Sequence, residues 1–110
     1  MSATYELSKT TSDEFMFNLK AGNGEVILTS QRYSAKAHAE TGIASVRTNA
    51  GSDDQYERKV ATSAEPYFVL TAGNHEVIGT SQMYSSPSAR DEGIASVKAN
   101  AKSATISDIA

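Results

Sequence analysis

The 110-residue sequence contains no cysteine and only two histidines. The absence of cysteine excludes disulfides, thiolate metal sites, iron–sulfur ligation and cysteine nucleophiles, so stability must come from packing and sheet hydrogen bonds. The sequence also has no HExxH pattern, glycine-rich phosphate loop or nucleophile elbow. We therefore expect no catalytic residues, no metal site and no cofactor.

Long apolar runs and an excess of positive charge are also missing. No stretch approaches the ~18 apolar residues of a membrane span, and residues 1–6 lack the basic start of a signal peptide. These features predict a cytoplasmic protein that does not enter a membrane. The net charge of −3 and the isoelectric point near 5.3 disfavour a phosphate-binding surface, and hence nucleic acid as a partner.

The sequence does contain an internal duplication. Residues 5–50 align without a gap onto residues 56–101, at a constant offset of 51 and with about 25 identities in 46 positions. The identities concentrate in three blocks: Ala-Gly-Asn at 21–23 and 72–74, Thr-Ser-Gln at 29–31 and 80–82, and Gly-Ile-Ala-Ser-Val at 42–46 and 93–97. A unit of ~50 residues buries too little surface to be comfortably stable alone, so we expect residues 1–110 to form one domain with a shared core. The duplication already supplies a two-fold partner, which predicts a monomer.

Each unit reads as three strands, a helix and a strand. Alternating apolar residues predict strands at 5–9, 15–20 and 26–28 and at the equivalent positions of the second unit. Asn23-Gly24 predicts a hairpin turn, and His75 at the position of Gly24 predicts a related rather than identical turn. Helices are expected from the Ser34 and Ser86 regions to about Asn49 and Asn100. A final strand is expected at 104–109, with residues 53–56 as its equivalent, running into the second unit as one longer strand.

Two glycines lie inside the predicted helices, where glycine costs about 0.5 to 1 kcal/mol relative to alanine. Both units keep this residue, as Gly42 and Gly93, although the seven positions before it all differ. This pattern predicts a close approach between helix and sheet at that point.

The motifs Phe-x-Leu-x-Ala-Gly-Asn-x-Glu-x-Ile, Thr-Ser-Gln-x-Tyr-Ser and Gly-Ile-Ala-Ser-Val closely resemble the YegP-like family of small, uncharacterised bacterial proteins. The resemblance covers almost the whole chain. It implies an α+β fold of two tandem β-β-β-α-β repeats with pseudo-two-fold symmetry. A single, mainly antiparallel sheet would carry both helices on one face and exchange its C-terminal strands. The resemblance brings no known activity.

The first candidate site lies at the helix starts, where hydroxyls and amides beside free backbone N–H groups can bind a small anion. The alternative is structural: Ser34 and Ser85 cap the helices, the tyrosines pack at the corner and the glutamines tie the loop. We favour the structural alternative. The candidate residues are Ser30, Gln31, Tyr33, Ser34, Ser81, Gln82, Tyr84 and Ser85.

The second candidate site is the sheet face opposite the helices, which we call the open face. Period-two alternation places six residues there, with Ile27 and Ile78 as further candidates beside them. A partly exposed apolar group rimmed by polar residues suits a protein partner or a dimer contact. The six residues are Met16, Asn18, Lys20, Tyr67, Val69 and Thr71.

Three functions remain open. The first is a non-catalytic binding or protein-interaction module, which we favour. The second is a nucleic-acid-binding, stress-related protein that uses the open face, and the third is a small-anion binder at the helix N-termini. A lone histidine beside Glu76 does not provide the converging geometry that an enzyme or a metal site needs.

Overall fold

The computed structural model describes residues 3–110, which form one seven-stranded sheet with two helices on one face. The first repeat contains β1 (Thr4–Lys9), β2 (Phe15–Lys20), β3 (Val26–Thr29) and α1 (Lys36–Asn49). The second contains β4 (Tyr56–Val60), β5 (Pro66–Thr71), β6 (Val77–Thr80), α2 (Pro87–Asn100) and β7 (Thr105–Asp108). No helix in the described range is long and apolar enough to cross a membrane.

The sheet has the strand order β4-β5-β6-β3-β2-β1-β7, and every pair except β1–β7 is antiparallel. At its centre Thr29 pairs with Thr80, its equivalent in the other repeat. The pseudo-two-fold axis therefore passes between β3 and β6. The predicted α+β architecture is confirmed.

The exchanged strand is β7, which follows the second helix but pairs in parallel with β1 of the first repeat. The Arg47 guanidinium donates to the Ala104 carbonyl at 2.6 Å, and Lys36 Nζ lies 2.9 Å from Asp108 Oδ2. These contacts fasten the end of the second repeat to the helix of the first.

Within residues 3–110 the first repeat has no exchanged strand of its own, so the exchange occurs only once. The prediction of a strand over residues 53–56 is wrong. Asp53–Gln55 is a 3-10 turn, and β4 begins at Tyr56. The Gln55 side chain donates to the Thr71 carbonyl at 3.0 Å, and the Thr71 hydroxyl donates to the Gln55 carbonyl at 3.0 Å. These two bonds hold the segment as a turn against β5.

One core serves both repeats. Its largest fully buried side chains come from β1, β2, β3 and β5 and from the inner faces of both helices: Tyr5, Phe17, Phe68, Leu7, Leu19, Leu28, Ile43, Leu70, Val46 and Val97. The symmetry breaks near the axis, where a Cβ placed on Gly79 would lie 2.6 Å from Leu28 Cγ. Leu28 and Gly79 are equivalent positions, so the space admits one large side chain rather than two.

The two hairpin turns after β2 and β5 make the same hydrogen bonds, so the expected difference between them is wrong. Gly24 and His75 each donate an N–H, at 2.9 Å, to the alanine carbonyl three residues earlier. Gly24 has φ +86° and His75 has φ +68°. The histidine therefore takes the left-handed conformation that glycine adopts at lower cost.

The helix starts differ from the caps predicted at Ser34 and Ser85, although α2 begins in the predicted Ser86 region. The residue before α1 is Ala35, which provides no side-chain cap, whereas Ser86 before α2 accepts from the Ala89 N–H at 3.1 Å. Ser34 and Ser85 lie one residue too early, and both are exposed. Their assignment as helix caps is wrong.

Candidate binding clefts between the repeats

Two clefts lie where the helix of one repeat meets the β-hairpin of the other. The first cleft has a volume of about 340 Å³ and the second about 360 Å³. The first is lined by Ala21, Asn23, Glu25, Ile27, Gln82, Tyr84, Ala89, Glu92, Gly93 and Ser96. The second is lined by Gln31, Tyr33, His38, Thr41, Gly42, Ser45, Ala72, Asn74, Glu76 and Ile78.

The two sets are equivalent position by position at the offset of 51. In each cleft the Ala-Gly-Asn-x-Glu turn comes from one repeat, while Gln-x-Tyr and the helical glycine and serine come from the other. The sequence blocks that the repeats share thus meet at two places in the fold. Neither repeat builds a complete cleft alone.

A β-bulge and an Asx turn place the hairpin residues. The β2–β3 pairing shifts between Leu19 and Lys20, which leaves Ile27 without a cross-strand partner and turns its side chain into the helix-side core. The Asn23 side chain then accepts from the Glu25 N–H at 3.0 Å, which fixes the turn beside the cleft. The second repeat has the same pairing shift, and Asn74 accepts from the Glu76 N–H at 3.1 Å.

The helical glycines form part of the cleft walls because a tyrosine packs against each of them. A Cβ on Gly93 would lie 2.6 Å from Tyr84 Cζ, and one on Gly42 would lie 2.9 Å from Tyr33 Cζ. Each tyrosine in turn stacks on a core phenylalanine, with ring centroids 6.3 to 6.4 Å apart. The predicted close approach is present, and the group that approaches is a tyrosine side chain.

The Tyr84 hydroxyl is buried, and among residues 3–110 it has no hydrogen-bond partner at normal distance and angle. Burial raises the pKa of Tyr84; the nearby Gln82 side chain opposes this shift and the negative charge of Glu25 adds to it. In the second cleft burial likewise raises the pKa of Tyr33, with Gln31 opposing and Glu76 adding. Both phenols stay neutral at ordinary pH, each near a carboxylate from the other repeat.

The clefts differ in charge. Glu25 and Glu92 line the first, whereas the second has Glu76 but has Thr41 at the position of Glu92 and His38 at the position of Ala89. No lysine or arginine is among the lining residues of either cleft. Within the described chain, no cluster of three or more histidine, aspartate or glutamate side chains could hold a metal ion.

Apart from the exposed Ser34 and Ser85, the helix-start candidates divide into two groups. The Ser30 hydroxyl accepts from the Phe17 N–H at 2.8 Å and donates to the Gln31 carbonyl at 2.7 Å, and Ser81 makes the equivalent bonds at 2.9 and 2.8 Å. These hydroxyls tie the loop to the sheet, a role the sequence interpretation gave to the glutamines. The other group lines the clefts: Gln31, Tyr33, Gln82 and Tyr84.

The six open-face candidates lie on two separate strands, β2 and β5, with β3 and β6 between them. Met16 and Tyr67 are partly exposed as expected, but Val69 is only 5% exposed and Thr71 only 2%. The expectation of an exposed Val69 is therefore wrong. Ile27 and Ile78 also leave this face, since the bulges place them in the core.

Much of the open face is occupied by contacts within the sheet. The Thr29 hydroxyl donates to Asn18 Oδ1 at 2.9 Å, and Lys20 Nζ lies 3.0 Å from Glu6 Oε2. Asn18 and Lys20 thus already have partners in the same chain.

These features define a class of tandem-repeat α+β protein with a cleft at each junction between its repeats. The chain belongs to the DUF1508 family, a domain of unknown function, whose model matches residues 11–57 and 61–108. The predicted YegP-like membership is confirmed.

Relatives in other bacteria have the same sequence pattern and fold. A UPF0339 protein of Shewanella oneidensis is 57% identical over 109 residues, which cover 99% of each chain. The solution NMR structure of a UPF0339 protein from Shewanella oneidensis matches with a TM-score of 0.92 at 57% identity, covering 99% of this chain and 92% of that one. The solution structure of Escherichia coli YegP, described as a protein of unknown function, matches with a TM-score of 0.93 at 52% identity, covering 99% and 94%.

The sequence did contain a signal for the clefts. The signal is the three identical blocks, because the structure brings parts of all three together across the repeat junction. The bulge that turns Ile27 inward has no distinctive sequence signature, so the convergence was not evident from strand alternation.

Proposed function

We propose that this protein is a non-catalytic binding protein that takes small polar molecules into the two clefts between its repeats. The observation that carries the proposal is the meeting of the shared blocks at two equivalent clefts, one of them with a buried tyrosine hydroxyl lacking a partner. A buried donor without an acceptor costs about 1 to 3 kcal/mol. A ligand that offers an acceptor or rearranges the cleft edge would recover part of that cost.

The lining residues favour binding over catalysis. Concave sites with a small apolar surface and a few converging polar groups are typical of ligand pockets. The only cleft histidine, His38, is replaced by Ala89 in the equivalent cleft, so a histidine base is not part of the repeated design. The repeated polar set is an asparagine, a glutamate, a glutamine, a tyrosine and a serine.

The other candidate functions have weaker support. An anion would meet carboxylates and no lysine or arginine in either cleft. A nucleic acid on the open face would meet Lys20 already paired with Glu6, on a chain of net charge −3. A protein partner on that face would find Met16 and Tyr67 on strands separated by two others.

The test is a fragment screen of a few hundred small polar molecules against the ¹⁵N-labelled protein, monitored by amide chemical shifts. Two variants show which cleft a molecule occupies. Ala89→Trp is designed to fill the first cleft and His38→Trp to fill the second. Both positions lie on helix surfaces, and thermal melts verify that the fold is retained.

We expect hits whose saturable shifts cluster at cleft residues such as Gln82 and Gly93. Each tryptophan should abolish binding in its own cleft only. A screen with no saturable binder, or hits unaffected by both tryptophans, would refute the proposal.

A further inference from the structure

We infer that the first cleft selects a small organic cation, an ammonium or guanidinium group on a short apolar body, held between Glu25 and Glu92. This inference rests on the proposed binding function and adds the ligand class. It also makes the two clefts unequal, because the second lacks one of the two carboxylates.

The charge argument starts from the walls of the first cleft. Glu25 belongs to the hairpin of the first repeat and Glu92 to α2 of the second, so the carboxylates come from the two elements that enclose the cleft. Within residues 3–110 neither carboxylate forms an ion pair or a side-chain hydrogen bond. By contrast Asp91, next to Glu92 in the sequence, pairs with Arg58 at 3.0 Å. The two cleft carboxylates are therefore available to a ligand.

The neutral groups set the rest of the ligand. Ala21, Ile27 and Ala89 provide an apolar surface, and the Tyr84 ring fills the space that a side chain at Gly93 would take. Gln82 and Tyr84 supply hydrogen bonds but no charge, because burial keeps the phenol protonated. A cation with a small apolar body matches this combination of surface and charge.

The second cleft is an internal control with nearly the same shape. Thr41 replaces Glu92 and His38 replaces Ala89, while the tyrosine, glutamine, asparagine and remaining glutamate are kept. A preference that arises from charge should therefore appear at one cleft, whereas non-specific attraction of amines to an acidic protein would appear at both and elsewhere.

The experiment titrates three probes of one shape into the ¹⁵N-labelled full chain: benzylamine, benzyl alcohol and benzoate. Benzylamine is expected to bind the first cleft more tightly than the alcohol, and benzoate to bind neither cleft. Added salt should weaken the binding of benzylamine and leave the binding of benzyl alcohol unchanged, since only the amine carries a charge that the carboxylates attract.

Two exchanged variants assign the preference to one position. Glu92→Thr gives the first cleft the residue of the second, and Thr41→Glu does the reverse; both positions are exposed. One exposed ion pair corresponds to a change of about two- to fivefold in affinity. In Glu92→Thr we expect the affinity of the first cleft for benzylamine to fall by that factor. In Thr41→Glu we expect the affinity of the second cleft to rise by a similar factor.

The outcomes separate this inference from the proposed function. Equal binding of amine and alcohol, or no effect of Glu92→Thr, overturns the cation preference while cleft binding stands. Amine shifts spread over the whole surface also overturn it. If no probe and no member of the fragment screen reaches either cleft, the proposed function itself fails.

Discussion

Replacing Tyr84 by phenylalanine is the sharpest test of how the first cleft is built. The hydroxyls of Tyr84 and Tyr5 are both buried, but of the two only the Tyr5 hydroxyl has a hydrogen bond, which it donates to the Ala101 carbonyl at 2.6 Å. Removing a hydroxyl that has a buried partner costs about 1 to 2 kcal/mol, whereas removing one that has no partner relieves a desolvation penalty. The two substitutions should therefore change stability in opposite directions.

We expect Tyr84→Phe to raise the free energy of unfolding by about 0.5 to 1 kcal/mol and Tyr5→Phe to lower it by about 1 to 2 kcal/mol. For a chain of this length such changes shift Tm by several degrees. The assay is urea denaturation followed by circular dichroism, with thermal melts as a second measurement. The same Tyr84→Phe protein should bind first-cleft ligands more weakly, because it lacks the unpaired hydroxyl to which a ligand could hydrogen-bond.

A Tyr84→Phe variant destabilised as much as Tyr5→Phe would refute this reasoning, because the hydroxyl would then have a partner within the fold. Tyr33→Phe is the matched control, since it removes the equivalent hydroxyl from the second cleft. An unchanged affinity at the first cleft in Tyr84→Phe would separately exclude that hydroxyl from binding.

Further predictions concern packing, backbone strain, pH and assembly. Leu28→Ala should lower the free energy of unfolding by about 2 to 5 kcal/mol, and Gly79→Ala should lower it by about 1 to 3 kcal/mol. The double variant should lose at least about 0.5 kcal/mol less than the sum of the two, because Leu28 fills the space at Gly79. Additive losses in urea denaturation would count against this contact. Ala64 has φ +69°, so Ala64→Gly should stabilise by about 1 kcal/mol in urea denaturation, and a loss of stability would contradict the strain. Burial raises the pKa of Tyr5 to about 12 from 10.0, so the stability that comes from its neutral phenol is complete below pH 10 and is lost as pH rises towards 12. The free energy of unfolding, measured from pH 9 to 12, should therefore fall, and it should fall less steeply in Tyr5→Phe. Sedimentation should give a monomer mass of 11.7 kDa, and a dimer would contradict the expectation that the duplication replaces dimerisation.

Patterns that act locally or repeat along the chain were predictable from the sequence. The offset of 51 gave the two-fold architecture, and alternation located strands such as β2 and β5. The retained Gly42 and Gly93 gave the close approach at the helices. Alternation reports the local backbone, and comparing the two halves of the chain reveals the duplication and the retained glycines, so one sequence is enough to infer these features.

Features that depend on contacts distant in sequence were not predictable. The 3-10 turn at Asp53–Gln55 depends on bonds to Thr71, and the left-handed His75 adopts the conformation that its surrounding turn imposes. The clefts depend on bulges that turn Ile27 and Ile78 towards the helices of the opposite repeats. Four of the eight helix-start candidates line the clefts, but the glutamates that set the charge of the clefts were not among the candidates.

The central claim is that small molecules bind between the repeats, and a crystal structure of the full chain soaked with benzylamine tests it most directly. The account predicts density for the amine in the first cleft, with its nitrogen near Glu25 and Glu92, and weaker or no density in the second. Density confined to the open face beside Met16 or Tyr67, or to the surface away from both clefts, would contradict it.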